Sequence, residues 1–252
     1  MHRWKNYLFN IAFGLNCLLL FLLVFENSLS IPVWLQVAGR MHPLILHFPV
    51  TIVILYAFVA IIFAFQQHGS TGSPQGSAGS PQDDAYKNIT HFLLLLAALS
   101  AVITSLAGLF LSKEEGYDAE ALQWHKWSGV AVSVLTLALY YFSNFIQTKR
   151  VVSFFTAAVA LCLIIFAGHQ GAGITHGENF LLAPIMPEKK PPVVSPDEAI
   201  VFAHMVKPIL ENKCESCHNN KKAKGELVME TEALLLKGGK NGVLWDSTEA
   251  DL

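Results

Sequence analysis

The sequence predicts an all-α protein, a five-helix transmembrane bundle with a small tethered helical domain at its C-terminal end. Three observations lead there. Apolar residues make up 53% of the 252 residues and charged residues only 14%, a balance that a single water-soluble domain does not carry. Five stretches stay apolar for about 20 residues each, the length that crosses a bilayer as a helix. A proline-rich stretch then separates them from a polar segment of different chemistry. The net charge is −2 and the basic residues are scattered, so no electrostatic footprint for nucleic acid is present.

The first apolar stretch, 7–25, follows Arg3 and Lys5. It is too long for the core of a signal peptide and no A-x-A site follows, so it reads as a retained membrane helix, cleavage near Ser28 or Ser30 being the alternative. The second, 43–65, opens on HPLILHFP, in which Pro43 suits a first turn with His42 at the cap, and Pro49 frees a backbone carbonyl. Residues 66–88 hold GSTGSPQ and GSAGSPQ in tandem and read as a flexible loop. Helices at 89–111, 124–146 and 151–172 complete a membrane domain over 1–176. Trp34, Trp124 and Trp127 fall where an interfacial aromatic belt would.

Residues 177–196 contain Pro184, Pro187, Pro191, Pro192 and Pro196 and predict an extended linker. Ser195, Pro196 and Glu198 then supply a cap, a first-turn proline and a capping acid for a short helix running towards Lys207. It opens a third segment, 197–252.

Of four cysteines, Cys17 and Cys162 lie singly in apolar runs and read as buried hydrophobes. Cys214 and Cys217 form, with His218, the pentapeptide CESCH. Two thiols at this spacing reach the two vinyl groups of a haem, and the adjacent histidine is left beneath the porphyrin to bind iron, so covalent haem c on Cys214 and Cys217 with His218 as proximal ligand is the leading reading. The rival is a zinc site of Cys214, Cys217, His218 and His204, which lacks a second C-x-x-C or H-x-x-x-H. Residues 195–252 number 58, too few for an independent apolar core, and a covalent haem would staple them.

FAHMVKPILENKCESCHNNKKAKGELVMETEALLLKGGKNG resembles the planctomycete-type cytochrome c domain over about residues 197–250, most specifically in CESCH and KGELVMETEALLLKGG. The resemblance implies a distal methionine in a Met-Pro-Pro context further downstream. The 34 residues after His218 contain none, which leaves Met229 as the nearest thioether, with a packing role as its competing reading.

Histidine is costly in a bilayer, so its placement carries information. His42, His47, His125, His169 and His176 all fall towards one membrane face, whereas His91 lies towards the other. Neutral imidazoles from different helices can ligate a haem b iron or another metal, with His47 and His169 the favoured pair and His125 next. Interfacial hydrogen bonding is the competing reading. Arg40 and Lys126, at the same level, suit haem propionates or a snorkelling role equally. HPLILHFP and GHQGAGITHG resemble a family of membrane domains of unknown function found fused to such cytochromes.

The resulting expectation is a membrane-anchored c-type cytochrome passing electrons between a membrane haem b or quinol pool and a periplasmic haem c. Its partners would be lipid, quinol and other redox proteins or complex subunits. The alternatives are a periplasmic haem-based redox sensor or assembly factor, or a non-catalytic subunit of a larger oxidoreductase. Haem c attachment outside the cytoplasm would place the C-terminal segment in the periplasm of a bacterium and, after five crossings, the N-terminus inside; basic loop residues agree by a small margin.

Overall fold

The computed structural model describes residues 3–66, 81–114, 117–176, 182–185, 199–215 and 217–244. Among these it is all-helical, with no named strand. The long helices are α1 (Arg3–Val24), α4 (His47–Gln66), α5 (Pro81–Leu111), α6 (Ala119–Tyr141) and α8 (Arg150–His176). Short helices α2 (Val33–Arg40) and α3 (His42–Ile45) precede α4, α7 (Ser143–Ile146) follows α6, and α9 (Lys207–Lys213) and α10 (Glu232–Lys237) lie in the C-terminal segment. Four segments are long and apolar enough to cross a membrane: Arg3–Val24, Val33–Phe65, Pro81–Leu111 and Arg150–His176.

The predicted helices correspond to these elements, with corrections at their ends. Helix α5 begins at Pro81, inside the stretch read as flexible, because Pro81 fits a helix start and Asp83 and Asp84 in the first turn favour the positive end of the dipole. The remainder of that stretch, 67–80, lies outside the described residues. The second membrane segment starts ten residues before Pro43, with α2, and is broken into three helices. Pro43 and Pro49 remove donors from its ladder, and the Ile45 carbonyl, four residues before Pro49, faces the Thr104 hydroxyl at 3.5 Å. The predicted fourth span is helical, as α6 and α7, but it is not among the four segments long and apolar enough to cross, so five predicted spans stand against four. Asp118 caps α6 by accepting from the Ala121 amide at 2.8 Å, so it starts earlier than predicted.

The chain divides into two compact units, Met1–Lys113 with His125–Gly168, and Glu114–Trp124 with His169–Leu252. In the first, α5 is the central helix. Of its most apolar window 56% is buried, against 22% for that of α1 and 28% for that of α8. Ala97, Ala98, Ala101 and Ala107 let neighbours approach closely, which is how helices associate where lipid is as apolar as the core. Val53, Tyr56 and Ala60 of α4, Leu94 and Ala101 of α5, Val132 and Leu139 of α6, and Ala157 and Ile164 of α8 form the main core. Large side chains point outward instead, among them Phe13, Phe58, Phe92 and Phe155. Buried polar groups are paired internally, as a bilayer requires. Ser133 donates to Asn16 Oδ1 at 2.9 Å, and the Tyr86 hydroxyl meets that of Ser153 at 2.8 Å.

In the second unit the predicted helix after the linker is corrected. Its proposed start at Ser195 lies outside the described residues, and it runs past Lys207 to Lys213 as a π-helical turn, Val201–Val206, followed by α9. Pro208 in the first turn of α9 cannot donate, and the wider turn precedes it. Of the linker, residues 182–185 are described and contain a 3₁₀ turn, Ala183–Ile185. Leu235 is the one fully buried apolar side chain among the described residues of the C-terminal segment.

Candidate functional site

Two groups of side chains come together, one in each unit. In the first unit the His42 and His125 rings lie 5.9 Å apart between centres, at 80° to each other. His42 Nδ1 is 2.9 Å from the Thr104 carbonyl of α5, and His125 Nδ1 is 3.0 Å from the Ala167 carbonyl of α8. A carbonyl only accepts, so each Nδ1 carries a proton, and in a neutral ring the lone pair then lies on Nε2.

Gly108 makes the first of these bonds possible. It stands one turn beyond Thr104, and a Cβ there would lie 3.0 Å from both Cε1 and Nδ1 of His42. Gly39 plays the matching part in α2, where a Cβ would lie 2.8 Å from the Leu111 amide nitrogen. Neither Thr104 nor these glycines figured in the sequence reading. An isolated glycine inside an apolar helix was the available signal for a close approach.

Beside His125, the Lys126 ammonium donates to both carboxylate oxygens of Glu26, at 2.8 and 2.7 Å, with its side chain only 7% exposed. Lys113 donates to the Glu26 carbonyl at 2.8 Å and lies 3.4 Å from its carboxylate. Burial pushes the Glu26 carboxyl up, but the Lys126 and Lys113 charges outweigh it and hold the group below the usual glutamate range. Lys126, read from the sequence as a propionate partner or a snorkelling cation, is thus committed to Glu26, and the chain after α1 is tied to the starts and ends of its neighbours.

His47 is exposed, and its Nδ1 turns to the Leu44 carbonyl of its own turn at 3.2 Å. In the sequence reading His47 led the candidate pairing, yet the imidazoles seen in ring contact are His42 and His125. His91, at the far end of α5, bonds Ser143 at 2.9 Å and packs on Tyr140.

In the second unit α8 continues to His176, the condition under which His169 and His176, seven residues apart, share one helix face. Both are exposed. Further on, the amides of Cys217 and His218 both donate to the Cys214 carbonyl, at 3.1 and 3.0 Å. This single turn sets Cys214, Cys217 and His218 at helical spacing on one side. Neither thiol is in a disulfide, and both are half-buried. His218 Nδ1 lies 3.3 Å from the Leu227 carbonyl, so Nε2 stays clear of that contact.

The surrounding loop is held by its own polar groups. Lys207 pairs with Glu215 at 2.5 Å and Glu211 at 3.6 Å, and although burial pulls its ammonium down, the two carboxylates raise it above the usual lysine range. Asn219 Oδ1 accepts from the Lys221 and Lys222 amides, both at 2.9 Å. Lys222 Nζ reaches the Ile174 carbonyl in the last turn of α8 at 3.1 Å, where a cation meets the negative end of the helix. The Met229 amide donates to the His218 carbonyl at 2.8 Å, which fixes the backbone of the predicted distal residue against the predicted proximal one. His204 Nδ1 accepts from the Ile200 amide at 2.8 Å, a local bond. Among the described residues no three His, Cys, Asp or Glu side chains converge as a metal held by this chain alone would need.

Residues 40–178, just over half of the chain, match the family described as "Predicted membrane protein (DUF2231)". The chain belongs to the DUF2231 family. The DUF2231 segment holds His42, His47, His125, His169 and His176 and ends before CESCH, so the comparison supports the membrane domain and leaves the cytochrome-like segment outside it. No curated protein and no solved structure matches the chain.

Proposed function

We propose that the protein is a membrane-anchored electron-transfer protein, a DUF2231 membrane domain carrying a c-type haem on Cys214 and Cys217. The observation that carries the reading is the CESCH turn, in which two half-buried thiols stand at helical spacing and His218 Nδ1 is engaged by the Leu227 carbonyl, leaving Nε2 towards a metal. An imidazole that binds iron commonly donates its other N–H to a backbone carbonyl, which orients the ring and raises its basicity. The donor set therefore fits a haem c, which when bound supplies one-electron redox chemistry.

The chain's own part is to hold and place that group. Lys207, Glu215 and Asn219 brace the loop, and Lys222 ties it to the end of α8, the helix that carries His169 and His176. Met229 is read here as part of this frame, since its backbone is bonded to His218.

We place the C-terminal segment in the periplasm of a bacterium and the N-terminus in the cytoplasm. That requires α6 as a fifth crossing. Its 23 residues span roughly 34 Å, enough for a bilayer, and two polar side chains in its first half, His125 and Lys126, are satisfied by Ala167 and Glu26. Quinol or a membrane haem would be the partner on one side and a soluble redox protein on the other. A haem-based sensor, an assembly factor or a non-catalytic subunit of a larger oxidoreductase remain as second readings, favoured by an open iron position or by stoichiometric co-purifying partners.

A pyridine haemochrome spectrum with iron per chain on the purified full-length protein tests the proposal. One covalently bound haem c per chain is expected. Protein matured in a host competent for cytochrome c assembly yet free of covalent haem would overturn it.

A further inference from the structure

We infer that His42 and His125 form a two-imidazole site for a transition-metal centre within the membrane domain, either a copper or zinc ion or the iron of a non-covalent haem. The inference deepens the electron-transfer reading and rests on it for its role, whereas its chemistry comes from the geometry alone.

Four features point to a ligand. Both rings present the same nitrogen: with Nδ1–H spent on the Thr104 and Ala167 carbonyls, each Nε2 holds a bare lone pair, the tautomer that metal-bound histidines adopt. Their spacing suits a shared metal. Two metal–nitrogen bonds of ~2.0–2.1 Å, with an imidazole radius added at either side, span roughly 6 Å between ring centres, against 5.9 Å here. The rings are held from separate helices, α5 and α8, and Gly108 leaves the space that lets His42 lie against α5, so the site is built before any ligand arrives. Finally, the nearby carboxylate, Glu26, is already engaged by Lys126 and Lys113, leaving neutral nitrogen donors, which favour copper, zinc or haem iron over calcium or magnesium. With two protein ligands, the remaining coordination positions would belong to the porphyrin or to an exogenous group.

The test uses full-length protein in detergent. Asparagine can still donate to the same carbonyls, so His42→Asn and His125→Asn remove the metal-binding nitrogen while keeping the helix contacts. His47→Asn is the control. Each is assayed for acid-acetone-extractable haem and, after dialysis against Cu²⁺ or Zn²⁺ alone, for metal per chain, and the metal assay is repeated in a Cys214→Ala/Cys217→Ala background so that metal held by the two thiols is not counted.

The expected result is one extractable haem, or one ion per chain without extractable haem in the background lacking the two thiols, falling at least tenfold in both His42→Asn and His125→Asn and unchanged in His47→Asn. Extractable haem identifies the haem source, and an ion without it identifies the bare metal. A parent protein that holds neither overturns the site, as does equal binding by the parent and either asparagine variant. Failure here with covalent haem c intact leaves the proposed function standing, whereas loss of covalent haem c with the histidine pair still loaded sinks that function and not the pair.

Discussion

Gly108→Ala should destabilise the membrane domain even though alanine is the better helix former. The added Cβ would lie 3.0 Å from Cε1 and Nδ1 of His42, whereas such atoms rest at about 3.5–4.0 Å. The ring must therefore retreat by roughly 0.5–1 Å. That carries its 2.9 Å bond to the Thr104 carbonyl past the ~3.2 Å at which such bonds weaken. A lost bond of about 1 kcal/mol and overpacking of about 1–3 kcal/mol oppose a helix-propensity gain of about 1 kcal/mol, for a net loss of about 1–3 kcal/mol. In a chain of this size that lowers Tm by roughly 2–12 °C.

Gly14→Ala in α1 is the control, since a Cβ there meets nothing within 4 Å and stability should be unchanged or rise slightly. Thermal unfolding in one detergent compares the two, and in a His42→Ala background Gly108→Ala should no longer destabilise. The reasoning is refuted if Gly108→Ala proves as stable as Gly14→Ala, or if it destabilises the His42→Ala protein as much as it does the parent.

Cys214→Ala/Cys217→Ala should abolish haem that survives denaturing electrophoresis, while Met229→Leu should leave the reduced spectrum unchanged; a changed spectrum would make Met229 an iron ligand. Glu26→Gln removes the partner of a nearly buried Lys126 and should cost about 2 kcal/mol at neutral pH. Because the folded Glu26 carboxyl is depressed, its stabilisation is present above the unfolded value of about 4.3 and is lost as pH falls through the lower folded value. The Tm difference between parent and Glu26→Gln should accordingly be full at pH 6–7 and close below about pH 4, and a gap constant down to pH 3 would contradict the pairing. Gly238→Ala places a Cβ against the Gly242 carbonyl at a φ of +75°, so it should cost about 2 kcal/mol or more and open the C-terminal segment to limited proteolysis; protection equal to the parent would count against the Gly238–Gly242 turn.

Much of the bundle was legible because hydropathy and length are properties of a linear string. The stretches 7–25, 43–65, 89–111 and 151–172 needed only composition to be seen. Where a helix begins depends on local competition, and there the reading slipped. Pro81 with Asp83 and Asp84 outweighed the glycine-rich stretch before them, and Asp118 drew the start of α6 ahead of Trp124. The break of the second segment into α2, α3 and α4 was partly visible in Pro43 and Pro49, although α2 itself was not. The stretch 124–146 is not among the four segments apolar enough to cross a membrane; His125, Lys126 and Ser133 lie in it, and each finds its partner elsewhere in the chain.

By itself the sequence determined that the chain is a helical membrane protein, and it drew attention to CESCH and to a set of histidines at the helix ends as candidates. These follow from residue type and spacing along one chain. Tertiary structure decided which imidazoles meet and which nitrogen each one offers. His42 reaches His125 because Gly108 leaves a gap on α5, because the Thr104 and Ala167 carbonyls fix the two Nδ1 protons, and because Glu26 occupies the neighbouring Lys126. Each of those causes lies on a different helix from the histidine it positions or from its partner, so it depends on how the helices are rotated against one another, which no periodicity along a single segment records.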